Sequence, residues 1–132
     1  MRTVLTTKGF DEYLEKLARA GKDIDAIADE ALTAGAEILV KGMVCRAPER
    51  TGNLRRHIAF TPPEKDGNFH FTIVGLIPKK KYTDADTARY GMAQEFGTAH
   101  TSAHPFIRPT FDEDMKKARA TMKGIFVERG AI

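Results

Sequence analysis

A chain of 132 residues fits about one domain, and 42% hydrophobic with 30% charged residues is ordinary globular usage, which excludes a disordered tail and a membrane protein. No window approaches the roughly 18 uninterrupted apolar residues of a spanning helix; Met1-Arg2-Thr3-Val4-Leu5-Thr6-Thr7-Lys8 lacks the apolar stretch of a secretory signal, and the single Cys45 rules out an intramolecular disulfide framework and suits a reducing compartment. With 21 basic against 18 acidic residues the net charge is +3, which permits binding to polyanions without requiring it.

Phe10, Tyr13, Leu14 and Leu17 at helical spacing predict a short helix over about 8–20, ended by Gly21. Ile24, Ala28, Ala31, Gly35, Ile38, Gly42 and Cys45 recur at steps of four and three, predicting a long helix from Ile24 to Arg46 with Asp23 as its cap. At about 1.5 Å per residue it runs roughly 34 Å and forms the spine of the domain. Gly35 and Gly42 each cost about 1 kcal/mol of helix propensity, so their place on the apolar face predicts a close neighbour there. Cys45 reads as a buried small hydrophobe.

Pro48 ends that helix, and Thr51-Gly52-Asn53-Leu54 reads as a turn. His57–Thr61 reads as a strand closed by Pro62-Pro63, and Phe69–Ile77 as a second, with Phe69, Phe71, Ile73, Gly75 and Ile77 sharing one face. Asp66-Gly67-Asn68 supplies the reversal of a hairpin. The polar stretch 78–87 reads as an exposed, mobile loop. A short helix over about 88–96 ends at Gly97, and Pro109 fits the first turn of a final helix whose apolar face is Phe111, Met115, Ala118, Met122, Ile125 and Phe126. The charges follow the helix dipole: acids at Asp23, Asp25, Asp29 and Glu30 precede Lys41 and Arg46, and Asp112, Glu113 and Asp114 precede Lys116, Lys117, Arg119 and Lys123. They are read as solvated helix faces. The whole is a single α+β domain over 1–132, with the long helix and the C-terminal helix packed on a small, mainly antiparallel sheet.

Catalytic and ligand-binding patterns are sparse. His100 and His104 are spaced i, i+4 with Glu95 nearby, but Gly97, Thr98, Thr101, Ser102 and Pro105 favour a loop over the helix that a zinc site would need. Ser102 lacks the elbow of a nucleophilic serine, and no phosphate-cradling glycine loop appears. His57 and His70 lie in predicted strands as solvated or hydrogen-bonded side chains. No metal, cofactor or catalytic residue is expected. Two basic clusters, Arg46 and Arg50 to Arg56 and the run Lys79-Lys80-Lys81, could contact phosphates, which makes a nucleic-acid-contacting protein the alternative reading. They lack the interleaved aromatics of a single-strand platform and the pattern of a groove-reading helix.

Two blocks, Ala47 to Ile58, containing Pro48-Glu49-Arg50-Thr51-Gly52-Asn53-Leu54-Arg55-Arg56, and Tyr90 to Thr98 followed by His104-Pro105-Phe106-Ile107-Arg108-Pro109, resemble the small tail-component family of long-tailed phages and prophages. The resemblance runs over essentially the whole chain. It implies a non-enzymatic tail-completion or head-to-tail joining protein that forms a ring, commonly a hexamer, and meets connector and tail-tube proteins. It implies assembly in the host cytoplasm and a final place in the virion. The family-motif residues Thr51, Gly52, Leu54, Arg55, Arg56, Glu95, Phe96, Gly97, Pro105, Phe106, Arg108 and Pro109 become candidates for a subunit interface. Within them Glu95, Phe96 and Gly97 finish a helix with a glycine reversal. Pro105 to Pro109 reads as an extended arm in which Phe106 and Ile107 anchor and Arg108 points outward or pairs with Glu95. Phe106 either packs on its own domain or anchors a neighbour.

Overall fold

The computed structural model describes residues 2–47, 57–67, 69–76, 92–93, 95–99, 103 and 105–131. In chain order these form β1 (Arg2–Thr6), α1 (Asp11–Arg19), α2 (Ile24–Arg46), β2 (Ile58–Phe60), β3 (Glu64–Asp66), β4 (Phe69–Leu76) and α3 (Ile107–Phe126), then a wide turn over Val127–Ala131. The architecture is α+β, and every strand pairing is antiparallel to β4. No helix among the described residues is long and apolar enough to cross a membrane.

The long helix has the expected bounds, and Asp23 caps it by accepting a hydrogen bond from Ala26 N–H at 3.2 Å. It packs against both α3 and the sheet. Its buried stripe comprises Ile27, Ala28, Ala31, Leu32, Gly35, Ala36, Leu39 and Met43, rotated from the predicted face toward Leu32, Leu39 and Met43. Cys45 thereby falls on the rim and is exposed, correcting the buried reading. Both glycines mark close approaches, as expected. A Cβ on Gly35 would lie 2.9 Å from Leu5 Cδ2 and 3.2 Å from Met122 Sδ, and one on Gly42 would collide with Asp114 Oδ2. Helix α1 is ended by Gly21, where φ is +75°, and at its start Phe10 meets Phe126 in a tilted ring contact with centroids 5.2 Å apart.

The N-terminal segment is a strand that the sequence reading did not anticipate. Thr3, Leu5 and Thr7 turn inward while Val4 is exposed, and β1 pairs with β4 from Arg2↔Gly75 to Thr6↔Phe71. On the other side of β4 the predicted first strand is β2, which ends before Pro62 and Pro63 because they cannot donate to a ladder, and a further short strand, β3, follows them. Thr61 bridges the break: its N–H donates to Ile73 O at 2.9 Å, and its Oγ1 accepts from Ile73 N–H at 3.1 Å. Strand β3 and β4 form the hairpin, with Gly67 at φ +62° in the turn. The face of β4 that enters the core carries His70, Thr72 and Val74, while Phe69, Phe71 and Ile73 stay half-buried outside. Some of the inward polar groups have partners: Thr7 Oγ1 accepts from His70 N–H at 3.0 Å, and His70 Nε2 pairs with Asp25 Oδ1 at 2.9 Å, while His70 Nδ1 is buried without one among the described residues.

Several charges expected on solvated helix faces instead tie elements together. Helix α3 begins at Ile107, so Asp112 to Asp114 lie past its first turn. Arg46 at the end of α2 donates to Asp114 Oδ2 and Glu113 Oε2, each at 2.7 Å, and to Thr110 Oγ1 at 3.0 Å. The two carboxylates hold its guanidinium above its ordinary pKa, the Asp114 bond first. Arg129 in the terminal turn donates to Glu30 at 2.6 Å, anchoring the end of the chain on α2.

Candidate functional site

The described residues of the second block gather where α3 begins. The backbone N–H groups at the start of a helix have no partner within it. At α3 these belong to Phe106, Ile107, Arg108 and Pro109. Proline has no N–H, and the other three all donate to one carboxylate: Phe106 and Ile107 to Glu95 Oε2 at 2.8 and 3.0 Å, and Arg108 to Glu95 Oε1 at 2.8 Å. Phe106, at the cap position, has no side-chain cap of its own. Glu95 thus caps the helix from eleven residues upstream, where its negative charge also faces the positive end of the helix dipole.

The local turn makes this possible. Residues 95–96 are helical, and Gly97 at φ +78° donates its N–H to Ala93 O at 2.8 Å, reversing the chain in a conformation that costs glycine little. The reversal leaves Glu95 only 8% exposed and turns the adjacent Phe96 out, 70% exposed.

Pro105 to Pro109 is therefore the entry and first turn of α3, not an extended arm. Phe106 is fully buried in the domain's own core, and Thr110 Oγ1 donates to Phe106 O at 2.7 Å. Arg108 does point outward, as one alternative held, but Glu95 binds its backbone N–H, and its guanidinium lies 4.0 Å from Asp112.

Around the cap lies an apolar surface. Thr3, Glu95, Phe96, Ile107, Arg108, Phe111 and Asp112 line an open groove of about 360 Å³. Phe111 is in phase with Ile107, Ala118 and Met122 on the face that α3 turns to the core, yet it is 47% exposed, and Met92 is exposed as well. The predicted apolar face of the last helix was correct in phase. Phe111 is exposed because no described residue covers that end of the helix. Apolar side chains clustered in this way mark interaction surfaces in soluble proteins. Of the groove residues, Thr3, Ile107, Phe111 and Asp112 were absent from the predicted interface candidates. An alternating Thr3, Leu5, Thr7 pattern was the available signal for the strand that brings Thr3 there.

Thr51, Gly52, Leu54, Arg55 and Arg56 lie outside the described residues, as do Lys79 to Lys81, the loop 78–87, His100, Ser102 and His104. Arg46, the described member of the first basic cluster, is engaged with Asp114 and Glu113. Among the described residues no group of three His, Cys, Asp or Glu side chains is placed to hold a metal ion.

A family model described as bacteriophage HK97-gp10, a tail component, matches residues 8–97. The match takes in α1, α2, the strands β2 to β4 and Glu95 to Gly97, and stops before α3. No curated protein and no solved structure matches the chain.

Proposed function

Because the chain belongs to the HK97-gp10-like family of bacteriophage tail components, we propose that it is a non-enzymatic structural subunit that self-associates into a ring at the head–tail junction, where it meets connector and tail-tube proteins. Family membership supports a structural role in the virion. The observation that carries the finer reading is the exposed pair Phe96 and Phe111 beside the Glu95 cap. The cap belongs to the fold, whereas the two rings have no covering partner among the described residues. Burying what remains exposed of both contributes roughly 2 to 3 kcal/mol per contact, about a thirtyfold to 150-fold gain in affinity.

Light scattering over a concentration series with negative-stain imaging tests this. Rings of uniform diameter are expected, and Phe96→Ser should disperse them while leaving the urea unfolding midpoint unchanged. A chain that stays monomeric at high concentration and also fails to join purified connectors or tails overturns the proposal.

A further inference from the structure

Among the described residues strand β1 is an edge of the sheet, and its outer side offers backbone groups for pairing. Thr7 N–H donates to His70 O on β4 at 3.0 Å, so alternation turns the backbone groups of Thr3, Leu5 and Thr7 toward β4 and those of Val4 and Thr6 away. The contact of Arg119 Nη1 with Thr6 O at 3.4 Å agrees with that parity. Among the described residues nothing bonds the outward N–H and C=O of Val4. An open edge of this kind accepts another strand. The groove with Phe96, Ile107 and Phe111 starts at Thr3 on the same strand, so a strand added here places side chains against both.

The opposite edge of the sheet has the matching chemistry. Thr61 N–H faces β4, which turns the backbone groups of Phe60 outward. Glu64 and Asp66 are exposed and have no cationic partner among the described residues. On the β1 side Lys8 and Arg119 have no carboxylate partner among the described residues. Lys8 Nζ lies 4.4 Å from the Phe69 ring centroid, and Arg119 donates to Lys8 O at 2.6 Å while resting on the Phe10 ring. Register sets these opposite charges at one level, since Thr6 and Glu64 both lie opposite Phe71. A copy displaced by one sheet width would bring its Glu64 and Asp66 beside Lys8 and Arg119.

The geometry points to a second copy of this chain as the occupant: its β2–β3 edge adds alongside β1, parallel to it, and continues the sheet from subunit to subunit. Pro62 and Pro63 carry no N–H, which limits the pairing to a short run and keeps that edge from accepting strands indiscriminately. The two surfaces differ, so the contact is heterologous, and repetition closes a ring when the rotation between neighbours divides a full turn. This mode of contact rests on the self-association proposed above but makes a separate claim.

The test uses the full-length chain, with amide exchange at Val4 followed at monomeric and assembled concentrations, and with a charge swap. Exchange at Val4 should slow by about tenfold or more on assembly. Lys8→Glu and Glu64→Lys, both surface changes, should each weaken association about fivefold at low salt, and combining them should return it toward wild type. Assembly that leaves the Val4 amide exchanging freely, or single variants that assemble like wild type, overturns the strand addition and leaves the Phe96 surface standing. A wild-type chain that never assembles overturns both.

Discussion

Replacing Glu95 with alanine removes the acceptor of three N–H groups at once. The donors at Phe106 and Ile107 are buried, and each costs about 1 to 3 kcal/mol when left unpaired. The donor at Arg108 is partly exposed and can turn to water. Losing the charge at the helix N-terminus adds about 0.3 to 1 kcal/mol. Allowing for relaxation, Glu95→Ala should cost about 3 to 5 kcal/mol, a large part of the roughly 5 to 15 kcal/mol that holds a domain folded. Glu95→Gln keeps one acceptor oxygen and should cost about 1 to 2 kcal/mol. Urea unfolding is the assay, with a lower midpoint at an unchanged slope for both variants. Phe96→Ser, one residue along, should stay within about 0.5 kcal/mol of wild type because its ring is largely in solvent. A Glu95→Ala protein within about 1 kcal/mol of wild type, or a Phe96→Ser protein damaged as much as Glu95→Ala, would refute the division between a residue that closes the fold and one that faces a partner.

Three further outcomes follow from the packing. Arg46→Met leaves the Asp114 carboxylate without its guanidinium at the α2–α3 junction, where Arg46 is 26% exposed, and should cost about 1 to 3 kcal/mol in urea unfolding; an unchanged midpoint would contradict the clamp. The Asp25 carboxyl is held below its ordinary pKa, first by the hydrogen bond from His70 and then by the charge of Lys65. A depressed folded-state pKa contributes stability that is present above the unfolded value and is lost as pH falls through the folded one. Asp25→Asn should therefore lower the midpoint at neutral pH and flatten its decline below about pH 4, and an acid limb identical to wild type would argue against the contact. Cys45 is exposed, so it should react with a thiol-specific chromogenic disulfide in the folded chain about as fast as in urea, and protection in the folded monomer would restore the buried reading.

The spine of the molecule was legible because helical periodicity, the Asp23 cap and two costly glycines agreed on the same segment. The rotation of its buried stripe was not. Alanine and glycine on one side and leucine on the other give a broad apolar arc whose centre depends on what packs against it. In β4 the period of two was clear, but the larger side chains were on the outer face. His70 and Thr72 enter the core with Asp25, Thr7 and Thr61 bonding His70 Nε2, the His70 N–H and the Thr72 hydroxyl, and those partners are distant in sequence. The second block shows the same difficulty at the candidate site. Its order, Glu-Phe-Gly and then Pro-Phe-Ile-Arg-Pro, carried the family resemblance together with the first block, although the family match ends at residue 97, and the side-chain chemistry left Arg108 either pointing outward or paired with Glu95. Glu95 instead takes the backbone N–H groups that begin α3, so the Pro-Phe-Ile-Arg-Pro run starts a helix and does not project as an arm. Strand β1 was missed because the alternation of Thr3, Leu5 and Thr7 is short, and the pairing that makes it a strand is decided by β4, some seventy residues away.

Whether the surface beside the Glu95 cap is where subunits meet is decided most directly by a cryo-electron microscopy map of the protein assembled on purified tail tubes. A single ring at one end of each tube, with every groove between Phe96 and Phe111 filled by the neighbouring subunit, is the predicted result. A ring whose contacts leave both phenylalanines in solvent, or density spread along the tube, would contradict it.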